Sequence, residues 1–279
     1  MEVPLFICLG IMPPTVQDIL EIIETIAPAS LAEEWDNVGL MIGNPSDQVH
    51  SILIGLDPTL QLLDEADALG SNLVITHHPI IFHPLKAVRL EQPDGRFINM
   101  AIRRNINVIS CHTNLDSAIT GVSDSLADKL GLIDREPLVA QDRDKLQAGI
   151  GRIGNFPDPV SAGDFISQLK AACHPSWLLE AGLRPEKISR VAVCGGSCSE
   201  LAETAMHSGA QVFVTAEVKH SVARWAEETG LWVIDAGHFA TENPAMVSLA
   251  QQLTRSTKKK NYRIDIKVTD KQGSPLQIV

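Results

Sequence analysis

The chain lacks the marks of several large protein classes. Positive charge is scarce: 23 Lys and Arg stand against 34 Asp and Glu, a formal net charge of −11. General binders of nucleic acid or of anionic membranes need the opposite balance, so neither is an expected partner. No run approaches the roughly 18–20 apolar residues of a membrane-spanning helix. Five cysteines, Cys8, Cys111, Cys173, Cys194 and Cys198, are odd in number and scattered. That pattern fits reduced thiols in a cytoplasmic protein and not a disulfide framework. The segment before Met12 carries no Lys or Arg, which makes it a poor signal peptide; residues 1–11 read as an N-terminal extension. Ser197 has no Gly-x-Ser-x-Gly context, so it is not expected to be a hydrolase nucleophile. The turn Cys194-Gly195-Gly196-Ser197-Cys198-Ser199 matches neither the dinucleotide nor the P-loop pattern. Close packing of that turn is the expected use of its glycines.

What is present is an ordinary globular composition, 44% apolar over 279 residues, enough for one large or two modest domains. Within it, Val74-Ile75-Thr76-His77-His78-Pro79 begins as an apolar strand and stops at two histidines and a proline. Pro79 has no N–H for a strand ladder and biases His78 towards an extended backbone. Strand ends of this kind are where α/β proteins place their chemistry. Taken alone, the pair serves a solvated loop as readily as a metal or a reaction.

The surrounding text repeats. Val16 to Ile26 has a helical apolar stripe with Thr15 as cap. Glu34 to Gly43 reads as a turn entering a strand, with Trp35 as a structural plug. Ile52–Gly55 is an expected strand, Pro58–Leu69 a helix closed by Gly70, and Leu73–Thr76 a strand. Residues Val191–Val193, Glu200–Ser208, Gly209 and Val212–Thr215 follow the same order at a constant offset of 139. Ile106–Ser110 matches Leu231–Asp235 at an offset of 125, and His112 with Asp116 matches His238 with Glu242 at an offset of 126. The simplest account is two copies of a β-α-β-α-β unit. The expected fold is therefore α/β, with two similar lobes. The expected boundaries are a first lobe over 12–133, a charged, Gly/Pro-rich linker over 134–160 and a second lobe over 161–279. Its C-terminal segment can pack back on either lobe.

Gathering the strand-end residues gives His77, His78, His112 and Asp116 from one copy and Glu217, His220, His238 and Glu242 from the other. Imidazoles with carboxylates suit zinc, iron, manganese or cobalt, and Asp116 and Glu242 can each bridge two ions. Pro244 favours a helix start with Asn243 as cap, leaving Glu242 just before it. His112, Glu217 and His220 serve equally well as groups that orient ligands. His50, His83, His174 and His207 have no such context.

Five ordered blocks, Glu34-Trp35-Asp36-Asn37-Val38-Gly39-Leu40, Thr76-His77-His78-Pro79, His112-Thr113-Asn114-Leu115-Asp116, Thr215-Ala216-Glu217-Val218-Lys219-His220 and Gly237-His238-Phe239-Ala240-Thr241-Glu242, resemble the NIF-three-like family. Its members are often labelled GTP cyclohydrolase type 2 homologues. Thr241 and Ala216 depart from the serine and glycine usual there. The resemblance implies a two-lobed α/β fold with a metal site in the cleft between the lobes, a dinuclear centre of two divalent ions held by His77, His78, Asp116, His238 and Glu242. It also implies a ring-shaped homohexamer.

Two functions follow as expectations. One is a metal-dependent hydrolase acting on a nucleotide-like substrate, with Glu217, His112 or His220 moving protons. Positive charge for a triphosphate would then come from the ions and from Lys86, Arg89, Lys219 or Arg224. The other is a non-enzymatic metal-binding, metal-delivering or scaffold protein.

Overall fold

The computed structural model describes residues 13–141 and 147–279; the expected extension over 1–11 lies outside them. The first part of the chain forms α1 (Val16–Ile26), β1 (Gly39–Ile42), β2 (Ser51–Gly55), α2 (Leu60–Leu69), β3 (Leu73–Thr76), α3 (Pro93–Arg103), β4 (Asn107–Ser110), α4 (Thr113–Ser117) and α5 (Val122–Lys129). The second forms β5 (Ile133–Ala140), β6 (Gly149–Ser161), α6 (Ala162–Cys173), β7 (Leu179–Ala181), β8 (Lys187–Ser197), α7 (Ala202–His207), β9 (Val212–Ala216), α8 (His220–Thr229), β10 (Trp232–Asp235), α9 (His238–Glu242), α10 (Pro244–Lys259) and β11 (Asp265–Val268).

Two sheets result, ordered β1-β4-β3-β2-β11 and β5-β6-β8-β9-β10-β7. In each, three parallel strands are joined by crossover helices, and the duplication holds at the level of register. Ile52 pairs with Leu73 and Leu73 with Asn107; Val191 pairs with Val212 and Val212 with Trp232. Each unit also carries an antiparallel strand on its last member, β1 on β4 and β7 on β10.

These central strands are buried on both faces, as β2, β3 and β4 are at every position, so they read as continuous apolar runs. Ile52, Ile54, Leu73 and Ile75 face one core with α1, while Leu53, Val74 and Val108 face another with α2 and α3. Each fully buried Ile or Leu of this kind contributes about 1.5–3 kcal/mol. The second sheet repeats the arrangement, α6 covering one face and α7 with α8 the other.

Of residues 134–160, expected as a linker, the described ones instead supply most of β5 and β6, which pair antiparallel in the second sheet. Their glycines mimic a linker but serve close strand contact: a Cβ on Gly149, at φ +153°, would lie 2.1 Å from the Val139 carbonyl oxygen. The C-terminal segment returns to the first lobe. Met246, Leu249 and Leu253 of α10 join the α1 core, and β11 pairs in parallel with β2. Among the described residues no helix is long and apolar enough to cross a membrane.

Candidate metal centre

The parallel strands of both sheets end at one cleft. His77 and His78 follow β3, and their backbone N–H groups still donate to the Leu56 carbonyl beyond the end of β2. Thr76 Oγ donates to the His78 carbonyl, holding the chain as it leaves strand geometry. Both imidazoles therefore serve one site, their ring centroids 4.9 Å apart. His112 follows β4, and Asp116 lies one turn later on α4. On the second lobe α9 carries His238 and Glu242 four residues apart, on one face.

The ring nitrogens are committed in one direction. Nδ1 of His77 lies 2.8 Å from the Cys111 carbonyl, Nδ1 of His78 2.7 Å from Asp57, Nδ1 of His112 2.8 Å from Asp36 and Nδ1 of His238 2.8 Å from Glu217. A carbonyl or carboxylate oxygen only accepts, so each Nδ1 carries the hydrogen. In a neutral ring Nε2 is then left with a lone pair, the state a metal ligand needs.

Those Nε2 atoms converge. His238 and His78 lie 3.3 Å apart through Nε2, and each is within 3.2 Å of Glu242 Oε2. Nε2 of His77 stands 3.6 Å from both Asp116 Oδ1 and Glu242 Oε1, too far for a hydrogen bond. As a result His77 Nε2 and Asp116 Oδ1 are buried without any hydrogen-bond partner. Buried polar atoms are rarely left so. A divalent ion would partner both, and the surrounding imidazole and carboxylate donors fit one.

Three overlapping groups have ligand atoms within 4.8 Å of one another: His77–His78–His112, His78–His238–Glu242 and His77–Asp116–Glu242. The structure thus brings together the five expected ligands and adds His112 to them. Among the described residues these groups contain no cysteine sulfur; Cys194 is buried and packs in the second core.

Charge follows from this crowding. Burial alone would depress the His78 imidazole, but hydrogen bonds to Asp57 and Glu242 push it up to about 10. His238 is likewise opposed by burial yet raised to about 9 by Glu242 and Glu217. His77 is raised as well, because Asp116 and Glu242 outweigh its complete burial. Burial lifts Asp116 to about 6. Glu242 resists its burial and is held well below the usual carboxylate range by the three imidazoles around it.

Glu217, expected from sequence only as a group that orients ligands or moves protons, stands beside His238, and sequence reasoning missed Asp36 and Asp57 as carboxylates behind His112 and His78. Asp36 has a fully buried side chain, and despite that burial the His112 and Thr113 bonds hold its carboxyl well below the ordinary range. Trp35 is not a plug: it is 57% exposed and stands 5.7 Å from Phe82 and 6.2 Å from the His112 ring. His220 is exposed at the start of α8, with no hydrogen bond to the cluster among the described residues.

The glycine turn also has its reason here. A Cβ on Gly196, at φ +73°, would sit 2.2 Å from Glu242 Oε1. Gly196 N–H donates to Thr241 Oγ, which closes the end of β8 onto α9. Glu217 has a left-handed backbone, φ +53°, a cost of about 1–3 kcal/mol for a residue with a side chain.

Residues 14–275 match the family model described as Duf34/NIF3 (NGG1p interacting factor 3). The chain is 34% identical over 260 residues to a Clostridium acetobutylicum protein named GTP cyclohydrolase 1 type 2 homolog, covering 93% of this chain and 97% of that one. A Streptomyces coelicolor protein of the same name is 30% identical, with 94% and 93% covered. Among solved structures, a Bacillus cereus protein related to NIF3 superposes with a TM-score of 0.88 at 25% identity, covering 95% of this chain and 99% of that chain. Reduced HcgD from Methanocaldococcus jannaschii gives 0.78 at 28%, covering 92% and 98%.

Proposed function

The chain belongs to the Duf34/NIF3 family, and from that premise we propose that its cleft holds two divalent ions and performs metal-dependent hydrolysis of a nucleotide-like substrate. The observation that carries the proposal is the pair of buried, partnerless donor atoms on His77 and Asp116, which face the buried Glu242. His77, His78, Asp116, His238 and Glu242 would hold the ions, with His112 as a sixth donor. Six donors in three overlapping groups exceed the four of an ordinary tetrahedral site. Bound there, such ions would supply Lewis acidity for activating water and polarising a substrate oxygen. The metal is zinc, iron, manganese or cobalt by ligand type.

The chain's own residues divide the remaining work. Asp57, Asp36 and Glu217 fix the ring orientation and tautomer of His78, His112 and His238. Glu217, with its side chain 57% exposed beside His238, is placed to move a proton at the mouth. His112 can do so only where it is not itself a ligand. The exposed His220 adds nothing to the cluster. The side chains of His238 and Asp116 are 34% and 22% exposed, so the cleft keeps an open face. An open face favours turnover over a closed storage or delivery site.

The relatives' name suggests the reaction: opening of the GTP imidazole ring with release of formate. The test is formate release from GTP and other nucleotides by metal-loaded protein. Release abolished by Glu242→Ala supports the reading. A fully loaded protein that leaves every nucleotide intact supports a metal-binding or metal-delivery role instead. The family's ring-shaped homohexamer is proposed with it and is tested by light scattering on the eluting protein.

A further inference from the structure

A cavity of about 360 Å³ opens beside the cluster, and His78 and His238 are its floor on the metal side. Trp177, Phe239, Pro275 and Leu276 give it apolar surface, while Asp57 and Glu217 are the carboxylates among the described residues that line it. Trp177 comes from the loop between α6 and β7, and its indole lies against Gly237, the residue before His238. Pro275 and Leu276 belong to the C-terminal tail, whose position is fixed by Gln272. The Gln272 amide oxygen accepts from the N–H groups of Leu56 and Asp57, at 2.7 and 3.2 Å, and its nitrogen donates to the Asp57 carbonyl at 2.6 Å. The tail is thereby tied to the same turn that presents Asp57 to His78.

Among the described residues no Lys or Arg lines the cavity. Lys219 faces Glu200 at 4.0 Å and Arg224 faces Glu227 at 2.8 Å, on the surface. A phosphate chain would therefore meet two carboxylates and aromatic faces there. A flat ring meets stacking surface. Asp57 and Glu217 each use one carboxylate oxygen on an imidazole; the second oxygen of each has no hydrogen bond among the described residues. Such oxygens suit ring N–H donors. The volume lies at the lower end of the range for small-molecule pockets, enough for a ring system but small for a whole nucleotide.

We propose that this cavity is a ring-binding subsite for an uncharged nitrogen heterocycle, the nucleobase end of the substrate, with the Gln272-anchored tail as one wall. The inference rests on the nucleotide-like reading above and narrows it: the base enters the cavity, and any phosphates lie outside it. Trp177 and Leu276 are then determinants of specificity that touch the ring and no ion.

The test is equilibrium binding of guanosine, adenosine, cytidine, uridine and inorganic tripolyphosphate to the full-length, metal-loaded protein. At least one nucleoside binds, and Trp177→Ala weakens it about tenfold or more with metal content unchanged. Leu276→Ala, at a position 64% exposed, weakens the same nucleoside several-fold. Tripolyphosphate neither displaces the nucleoside nor responds to either substitution. Failure of all four nucleosides to bind overturns the subsite, as does binding indifferent to both substitutions or displacement by tripolyphosphate. Nucleoside binding that depends on Trp177 without turnover of any nucleotide leaves the subsite standing and removes the hydrolase.

Discussion

Glu217 Oε1 lies 2.8 Å from Nδ1 of His238, and that contact spans the gap between the end of β9 and the start of α9. It does for the second lobe what Asp57 and Asp36 do for the first. Substituting such an orienting carboxylate costs about 10–100-fold in metal affinity. Glu217→Ala is expected in that range. Glu217→Gln, whose amide oxygen still accepts from Nδ1–H, should lose clearly less. Competition with a chromophoric chelator measures both; equal affinities for wild type and Glu217→Ala would remove the orienting role.

Gly196 sets how closely β8 approaches Glu242. A methyl group there would meet the carboxylate at 2.2 Å, and the left-handed backbone adds strain for any side chain. Gly196→Ala should fold with a near-normal circular dichroism spectrum yet lose most of its bound metal. Normal metal content in that variant would show that Glu242 is free to move aside.

The sites for metal and for protons are the same atoms. In ion-free protein His78 keeps its proton to about pH 10 and His238 to about pH 9. Metal uptake at neutral pH must therefore expel at least the two protons of His78 and His238, and affinity should rise with pH. Calorimetry in buffers of different ionisation enthalpy reads this directly, and a heat independent of buffer would contradict it. The sign for stability is the opposite. These raised imidazoles stabilise the ion-free fold fully below the unfolded value of 6.5, and the contribution is lost as pH rises through about 9–10. Ion-free protein should unfold at lower temperature at pH 9.5 than at pH 6.

Arg152 is 2% exposed and ties the β5–β6 pair to the first lobe. It donates to Asp124 at 2.7 Å and to the carbonyls of Gly149, Gly151 and Ala118. Removing one partner of a buried pair costs about 3–5 kcal/mol. Asp124→Ala should lower stability by about that much without changing metal content in the folded protein. Chemical denaturation measures it, and a loss under about 1 kcal/mol would assign the guanidinium's stabilisation to the carbonyls alone.

The duplicated unit was legible because a constant spacing survives in sequence wherever register is kept. Ile52 and Leu73 pair as Val191 and Val212 do. The ligand candidates were legible for the same reason, since each copy closes a strand with a histidine and a carboxylate four residues on. Asp36 and Asp57 were not, because their imidazole partners lie 76 and 21 residues away and nothing local marks the contact. The β5–β6 pair was hidden by composition: Gly149 meets a structural demand with a residue that linkers also use. Trp35 looked like core because tryptophan usually is, and only the fold reveals it standing beside His112.

The most direct measurement is metal content per chain in protein purified without added metal or chelator, for wild type, Asp116→Ala and Glu242→Ala. The account predicts about two equivalents for the wild type and a sharp fall in both variants. Protein without tightly bound metal, or with a content indifferent to both substitutions, would contradict it.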